Sequence, residues 1–329
     1  MPSARPAAAS SATTACARRA ACRRSSTCAT WPRTPPTPPC SAGRAAFFAL
    51  MEAALPTEVD PATLATLGAT DLGAFAATAT AHPHYVPARR ATYAFGIGYT
   101  TGGRVRLVEL PDAGPARVMT TLALPYRTMI HDFAVTERHA IVFVAPVVFD
   151  VFGVLMGRRS VAEALDWEPA RGTTVLIVDL DDPRRVRRLE TDPFWAWHVV
   201  NAFEDGADLV IDLVRYADFA AQRLARRRDA RRAPPHRARA LHAPPHRRAR
   251  ARHGRGPWDR PCDFPRIPPG AEARPHDAAF VAAMVAGAAA GTDLQRSIAR
   301  LEPATGRVSE HPRGRRLPVG AYSPSASTC

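Results

Sequence analysis

The chain has 329 residues, 46% of them apolar, enough to bury one large core or two modest ones. Its 44 basic residues, all arginine, against 30 acidic ones give a net charge of +14, yet residues 1–44, 221–260 and 311–329 together carry +22, leaving −8, the difference from +14, for an otherwise ordinary acidic globular chain. Five of the six cysteines (Cys16, Cys22, Cys28, Cys40 and Cys329) fall in those basic segments and only Cys262 lies outside them, so no disulfide framework is implied.

In chain order, residues 1–44 are rich in Ala, Ser, Thr, Pro and Arg, lack acids, and resemble a transit peptide in composition. They contain no apolar h-region, which argues against secretion. From residue 91 onward short alternating or apolar segments are separated by Gly, Pro and Asp turns. Strands are predicted over 93–99, 104–110, 117–124, both arms of 125–144 around a turn at 136–138, then 173–180, 185–191, 196–204 and 208–216. The longest apolar run, residues 140–157, contains Pro146 and Asp150 and is expected to form a strand followed by an apolar loop rather than a membrane span. Helices are expected over 160–167 and 277–291. The meander fits a propeller, a barrel or a sandwich, and alternation does not choose among them.

Three histidines stand in strand or turn settings: His82 in "ATATAHPHYVP", His131 in "MIHDFAVTE" and His198 in "WAWHVVNAFEDG". On a blade-repeating fold, intervals of 49 and 67 residues place each on a different blade, where neutral imidazoles converging on one axis suit Fe(II), Zn or Cu. Any one of them alone reads more readily as a packed core histidine. His84 and His139 read as a loop and a surface-strand residue. Asp132 and Asn201 read as backbone ties, and Phe194, Trp195 and Trp197 as either packing or the wall of an apolar tunnel.

"LMEAALPTEVDPATLATLG", "TAHPHYVP", "MIHDFAVTE", "HVVNAFEDGADLVIDLVRY" and "CDFPRIPP", in that order, resemble successive signatures of the carotenoid oxygenase family, which includes the carotenoid cleavage dioxygenases and the retinal pigment epithelial membrane proteins. The resemblance covers roughly residues 45–220 and 257–310. It implies an all-β fold, here a partial seven-bladed β-propeller, holding non-haem Fe(II) and cleaving a conjugated double bond of a carotenoid, apocarotenoid or stilbene-like substrate with O2. It assigns His82, His131 and His198 as metal ligands. It also assigns Glu52 and Asp263 as the acids that hold the ligand rings, with aspartate standing where a glutamate is usual. The fourth ligand, in a Gly-Phe-His-Gly motif, has no counterpart in this sequence, and neither His276 nor His311 matches it.

The resemblance divides the chain into a low-complexity segment (1–44), propeller blades (45–220), an Arg/Pro/His-rich insert (221–256), a continuation (257–310) and a tail (311–329). The insert, with its duplicated "APPHR", is proline-broken and poor in apolar residues. Its arginines suit non-specific phosphate contact and His236, His242, His246 and His253 suit metal, but shifted-frame translation of a GC-rich gene explains all three odd segments together. The rival readings are an inactive fragment and an arginine-rich β scaffold that binds nucleic acid or acidic surfaces. No specific nucleic acid is expected. A cytoplasmic protein is expected, with peripheral membrane association as the alternative.

Overall fold

The computed structural model describes residues 27–31, 46–52, 54–99, 102–219, 237–243, 252–253, 260, 262–283 and 297–312, with backbone alone for 27–31, 237–243, 252–253 and 312. The described residues form five four-stranded antiparallel sheets, each a chain-order meander. The first holds β1 (Thr27–Trp31), β2 (Ala46–Leu50), β3 (Thr57–Val59) and β4 (Thr66–Ala69), and the second β5 (His84–Val86), β6 (Ala91–Gly98), β7 (Arg104–Pro111) and β8 (Arg117–Ala123). In the third, β9 (Ala134–Val135) and β10 (His139–Val144) are joined to β13 (Thr173–Asp179) and β14 (Val186–Thr191) across an excursion that contains the two-stranded ribbon β11 (Val147–Phe149) and β12 (Leu165–Trp167). The fourth holds β15 (Trp195–Asp205), β16 (Asp208–Tyr216), β17 (Arg237–Ala243) and β18 (Arg252–His253); the fifth holds β19 (Cys262–Arg266), β20 (Ala279–Ala283), β21 (Ser297–Leu301) and β22 (Val308–Pro312).

The central strands are buried on both faces, so their sequences read as continuous apolar runs. β6 is buried along seven of its eight residues, and β10 pairs with β13 so that Ile141 faces Ile177 and Val142 faces Leu176. Each such fully buried aliphatic side chain contributes about 1.5–3 kcal/mol of apolar burial. The cores are inter-sheet: Phe95, Phe133, Val142 and Leu176 join the second sheet to the third, and Ile141, Phe194, Leu209 and Ile211 join the third to the fourth. The leading strands β5, β9, β15 and β19 touch one another in succession. This is a propeller-like arrangement in which first strands gather at the centre.

One glycine shapes the approach to that centre. A Cβ on Gly96 would lie 2.3 Å from the carbonyl oxygen of Thr78, so only glycine lets the segment leading to His82 cross β6 this closely. Thr78 is stitched there by its hydroxyl, which accepts from Ile97 N at 2.8 Å and donates to Ile97 O at 3.0 Å.

Three expectations are corrected. Residues 160–167 do not form a helix: Glu163 accepts from both the N–H and the hydroxyl of Ser160, a capping contact that organises a single turn, after which Leu165–Trp167 pair with Val147–Phe149. The short helix α1 lies earlier, at Val151–Leu155, with the Asp150 carboxylate accepting from Gly153 N at 2.9 Å. Residues 279–283 are strand β20, because partners on both sides complete its ladder; residues 284–291 of that expected helix lie outside the described residues. The side chains of the 221–256 insert, His236, His242, His246 and His253 among them, also lie outside them. No helix among the described residues is long and apolar enough to cross a membrane.

Candidate metal centre

His82 lies in the extended segment just before β5, His131 just before β9, and His198 within β15. His131 is therefore not inside a strand: the 125–133 arm follows the central surface without a ladder, and only Ala134 and Val135 pair with β10. His198 sits where the β15–β16 register shifts between Ala196 and Val199, a bulge that re-aims its side chain. Despite separations of 49 and 67 residues, one nitrogen from each of the three rings lies within 4.8 Å of the others. The ring centroids are 4.5, 4.9 and 5.1 Å apart.

The donor set fits a divalent metal. Two nitrogens each about 2.1 Å from one ion and at right angles lie about 3 Å apart, and His82 Nε2 and His131 Nε2 are separated by 3.0 Å. Burial holds the His82 imidazole down at about 3, against the raising effect of Asp132, so it is neutral, as a ligand must be.

Carboxylates claim the far sides of two rings. His198 Nδ1 donates to Asp263 Oδ1 at 2.7 Å, which fixes the tautomer and turns Nε2 inward. The shorter aspartate thus does reach its histidine. Burial opposes ionisation of Asp263, but the hydrogen bonds from His198 and Tyr216 hold its carboxyl below the ordinary range. Glu52 Oε1 stands 2.5 Å from His131 Nδ1, off the ring N–H axis, so the pair is a close polar contact rather than a linear hydrogen bond.

A second ring of polar contacts knots the three segments together. The buried Thr80 hydroxyl accepts from His82 N at 3.0 Å and reaches His131 O at 3.5 Å. The buried Asp132 carboxylate accepts from Val199 N at 2.7 Å, from Phe133 N at 2.8 Å and from His84 Nε2 at 3.0 Å. His84 Nδ1 donates to Glu272. Burial alone would discharge the His84 ring, but the two carboxylates outweigh it and lift its pKa to about 10. The same partnership pulls Asp132 well below its usual value despite burial. His84 is therefore a partly buried ionic link at the start of β5, not a loop histidine, and only the short spacing in His-Pro-His hinted at it.

Asn201, three residues after His198, donates to Ala271 O and Arg274 O and accepts from Ala273 N, holding the 268–277 segment that carries Glu272. His276 is bound to Asn201 at 3.1 Å and is not part of the three-histidine cluster; His311 is exposed on β22. His139 is partly buried and paired with Glu204 at 3.1 Å. Phe194 and Trp195 are buried in cores, whereas Trp197 meets His131 edge-on at 4.7 Å and Phe264 lies 5.0 Å from His198. The centre is bordered by aromatic surface on two sides.

The family profile described as Retinal pigment epithelial membrane protein matches residues 13–323. The chain belongs to this family. Among curated members, the chain is 28% identical over 179 residues to the apocarotenoid-15,15'-oxygenase of Synechocystis, covering 52% of this chain and 36% of that protein. It is 31% identical over 177 residues to an isoeugenol monooxygenase of Pseudomonas nitroreducens, covering 51% of this chain and 35% of that protein. The solved structure of a cobalt-substituted Synechocystis apocarotenoid oxygenase superposes with a TM-score of 0.72 at 24% identity, over 81% of this chain and 57% of that one. The matched region is thus little more than a third of the curated relatives' length.

Proposed function

We propose that this member of the family is a non-haem Fe(II)-dependent oxygenase that cleaves a conjugated carbon–carbon double bond of a carotenoid or apocarotenoid. The alkene and O2 become two carbonyl products, with both oxygen atoms accounted for. The observation that carries the proposal is the convergence of His82, His131 and His198, with Asp263 and Glu52 behind two of the rings. The chemistry that Fe(II) supplies when bound is activation of O2 towards the double bond. The five sheets are then blades of a seven-bladed propeller, a reading supported by the gathering of β5, β9, β15 and β19 at the centre.

The chain's own residues do the positioning. Asp263 and Glu52 hold the His198 and His131 rings so that neutral nitrogens face the ion. Trp197 and Phe264 offer flat apolar walls to a conjugated chain and displace water from the side of the centre they cover. α1 and its following turn expose Phe152, Leu155, Met156 and Val161, at 65, 75, 66 and 57%, while Arg159 beside them is paired with Asp150 and Asp166. Such an apolar patch fits peripheral contact with a membrane that holds the lipid-soluble substrate.

The similarity to isoeugenol monooxygenase supports one alternative substrate, a phenylpropanoid whose side-chain double bond is conjugated to an aromatic ring. The full chain loaded with Fe(II) is incubated in air with an apocarotenal and, separately, with isoeugenol, and aldehyde products are followed by chromatography and mass spectrometry. Aldehydes from the apocarotenal, absent in His131→Ala/His198→Ala, are expected. Products from isoeugenol alone would transfer the proposal to the phenylpropanoid, and products from neither would refute it.

A further inference from the structure

Asp263 is one methylene shorter than the acid expected at its position, yet it makes the better aligned of the two carboxylate contacts to the histidine cluster. Two features account for this. The β19–β20 register shifts between Asp263 and Arg266, and Phe264 takes the left-handed conformation at φ 53°, which non-glycine residues adopt only when their surroundings enforce it. This kink carries the carboxylate toward His198 and lets Phe264 N donate to Oδ1 at 2.8 Å. The other oxygen, Oδ2, accepts from the hydroxyl of Tyr216. Tyr216 itself is buried at the end of β16 among Trp195, Val214 and Phe219, so its ring is immobile and its hydroxyl approaches from a fixed direction.

We propose that Tyr216 is a positioning residue for the metal centre: through Asp263 it fixes the tautomer and orientation of His198. The inference rests on the proposed metal-binding role of the three histidines. Glu52, which lacks such a clamp, meets His131 out of line; the contrast shows what the tyrosine contributes. The simpler reading is that Asp263 merely satisfies a buried hydroxyl. On that reading the tyrosine is spectator to the histidine.

The test uses the full chain with Tyr216→Phe, which keeps the ring and removes only the hydroxyl. In the metal-free, 15N-labelled protein His198 is expected as the Nδ1–H tautomer, with a fraction moving to Nε2–H in Tyr216→Phe. Co(II), used as the probe ion, is expected to bind about tenfold more weakly to the variant. In an Asp263→Ala background, Tyr216→Phe is expected to change Co(II) affinity by less than about twofold, because a residue acting through the Asp263 carboxylate has nothing left to act on. Equal effects in both backgrounds, or an unchanged His198 tautomer, would overturn the inference. Absence of Co(II) binding to the unmodified chain would sink the metal-site reading, and the tautomer of His198 would then decide the tyrosine's role alone. Should Tyr216→Phe prove insoluble, Asp263→Glu/Tyr216→Phe is measured instead against Asp263→Glu: a fraction moving to Nε2–H only in the double variant is expected, and an identical tautomer in both would overturn the inference.

Discussion

Asp132 Oδ2 accepts the backbone N–H of Val199 at 2.7 Å, joining the residue after one histidine of the centre to the residue after another. Its other oxygen takes His84, two residues after the third histidine. A single buried carboxylate therefore holds all three histidine-bearing segments, which belong to different sheets. Such a tie relieves the cost of burying the charge and fixes the spacing of the rings at once.

Asp132→Ala leaves His84 charged and the Val199 N–H without its acceptor. Glu272 still pairs the His84 ring, so the loss is the missing charge-assisted bond and the unsatisfied buried N–H, about 1–3 kcal/mol. Urea unfolding is expected to show that loss in the metal-free chain. A change under about 1 kcal/mol would mean that the knot is not a structural tie.

Trp197 stands edge-on to His131 at 4.7 Å and has no carboxylate role. Trp197→Ala is expected to leave iron content unchanged and to raise KM for an apocarotenal about tenfold, the loss of roughly 1.4 kcal/mol of aromatic contact. Loss of iron instead would mean that the ring supports the histidine rather than the substrate.

The exposed apolar side chains on and after α1 give a separate expectation. Withdrawing a Phe or Leu side chain from water contributes about 1.5–3 kcal/mol. Phe152→Ser/Leu155→Ser is expected to abolish co-flotation with phosphatidylcholine/phosphatidylserine vesicles without changing cleavage of a detergent-solubilised substrate. Undiminished flotation would remove the membrane-contact proposal.

Between β21 and β22 the Glu302 carboxylate accepts from Arg300, Arg307 and Thr305. The hydrogen bonds from Arg307 and Arg300 hold its pKa at about 2, below an ordinary 4.5. A depressed carboxyl stabilises the folded turn fully above the ordinary value, and that stabilisation disappears as pH falls from about 4.5 through about 2. Hydrogen exchange at Gly306 N, which donates to Glu302 O at 2.8 Å, is expected to lose protection over this window once corrected for intrinsic rate. Glu302→Gln is expected to remove the pH dependence.

Much of the centre was legible in the sequence because ordered motifs carry it. His82, His131 and His198 come together in the structure, and Glu52 and Asp263 stand beside two of the rings. The alternation of apolar residues also marked nearly every strand. What stayed hidden depends on backbone detail. The bulge at His198 and the left-handed Phe264 leave the pattern of apolar residues unchanged, so nothing in "WAWHVV" or "CDFPRI" announces them. His84 gave no signal as an ionic link, since Glu272 lies 188 residues away. The 160–167 segment misled because Ser160 and Glu163 carry a genuine helix-start signature that strand pairing of Leu165–Trp167 overrides.

Three imidazoles, from the segments leading into β5 and β9 and from β15, are proposed to hold one iron. Iron content is measured on the chain prepared anaerobically with Fe(II) and desalted, beside His82→Ala/His131→Ala/His198→Ala. About one iron per chain, lost in the triple variant, is expected of a three-histidine site. No specifically bound iron in the unmodified chain, or equal iron in both proteins, would contradict it.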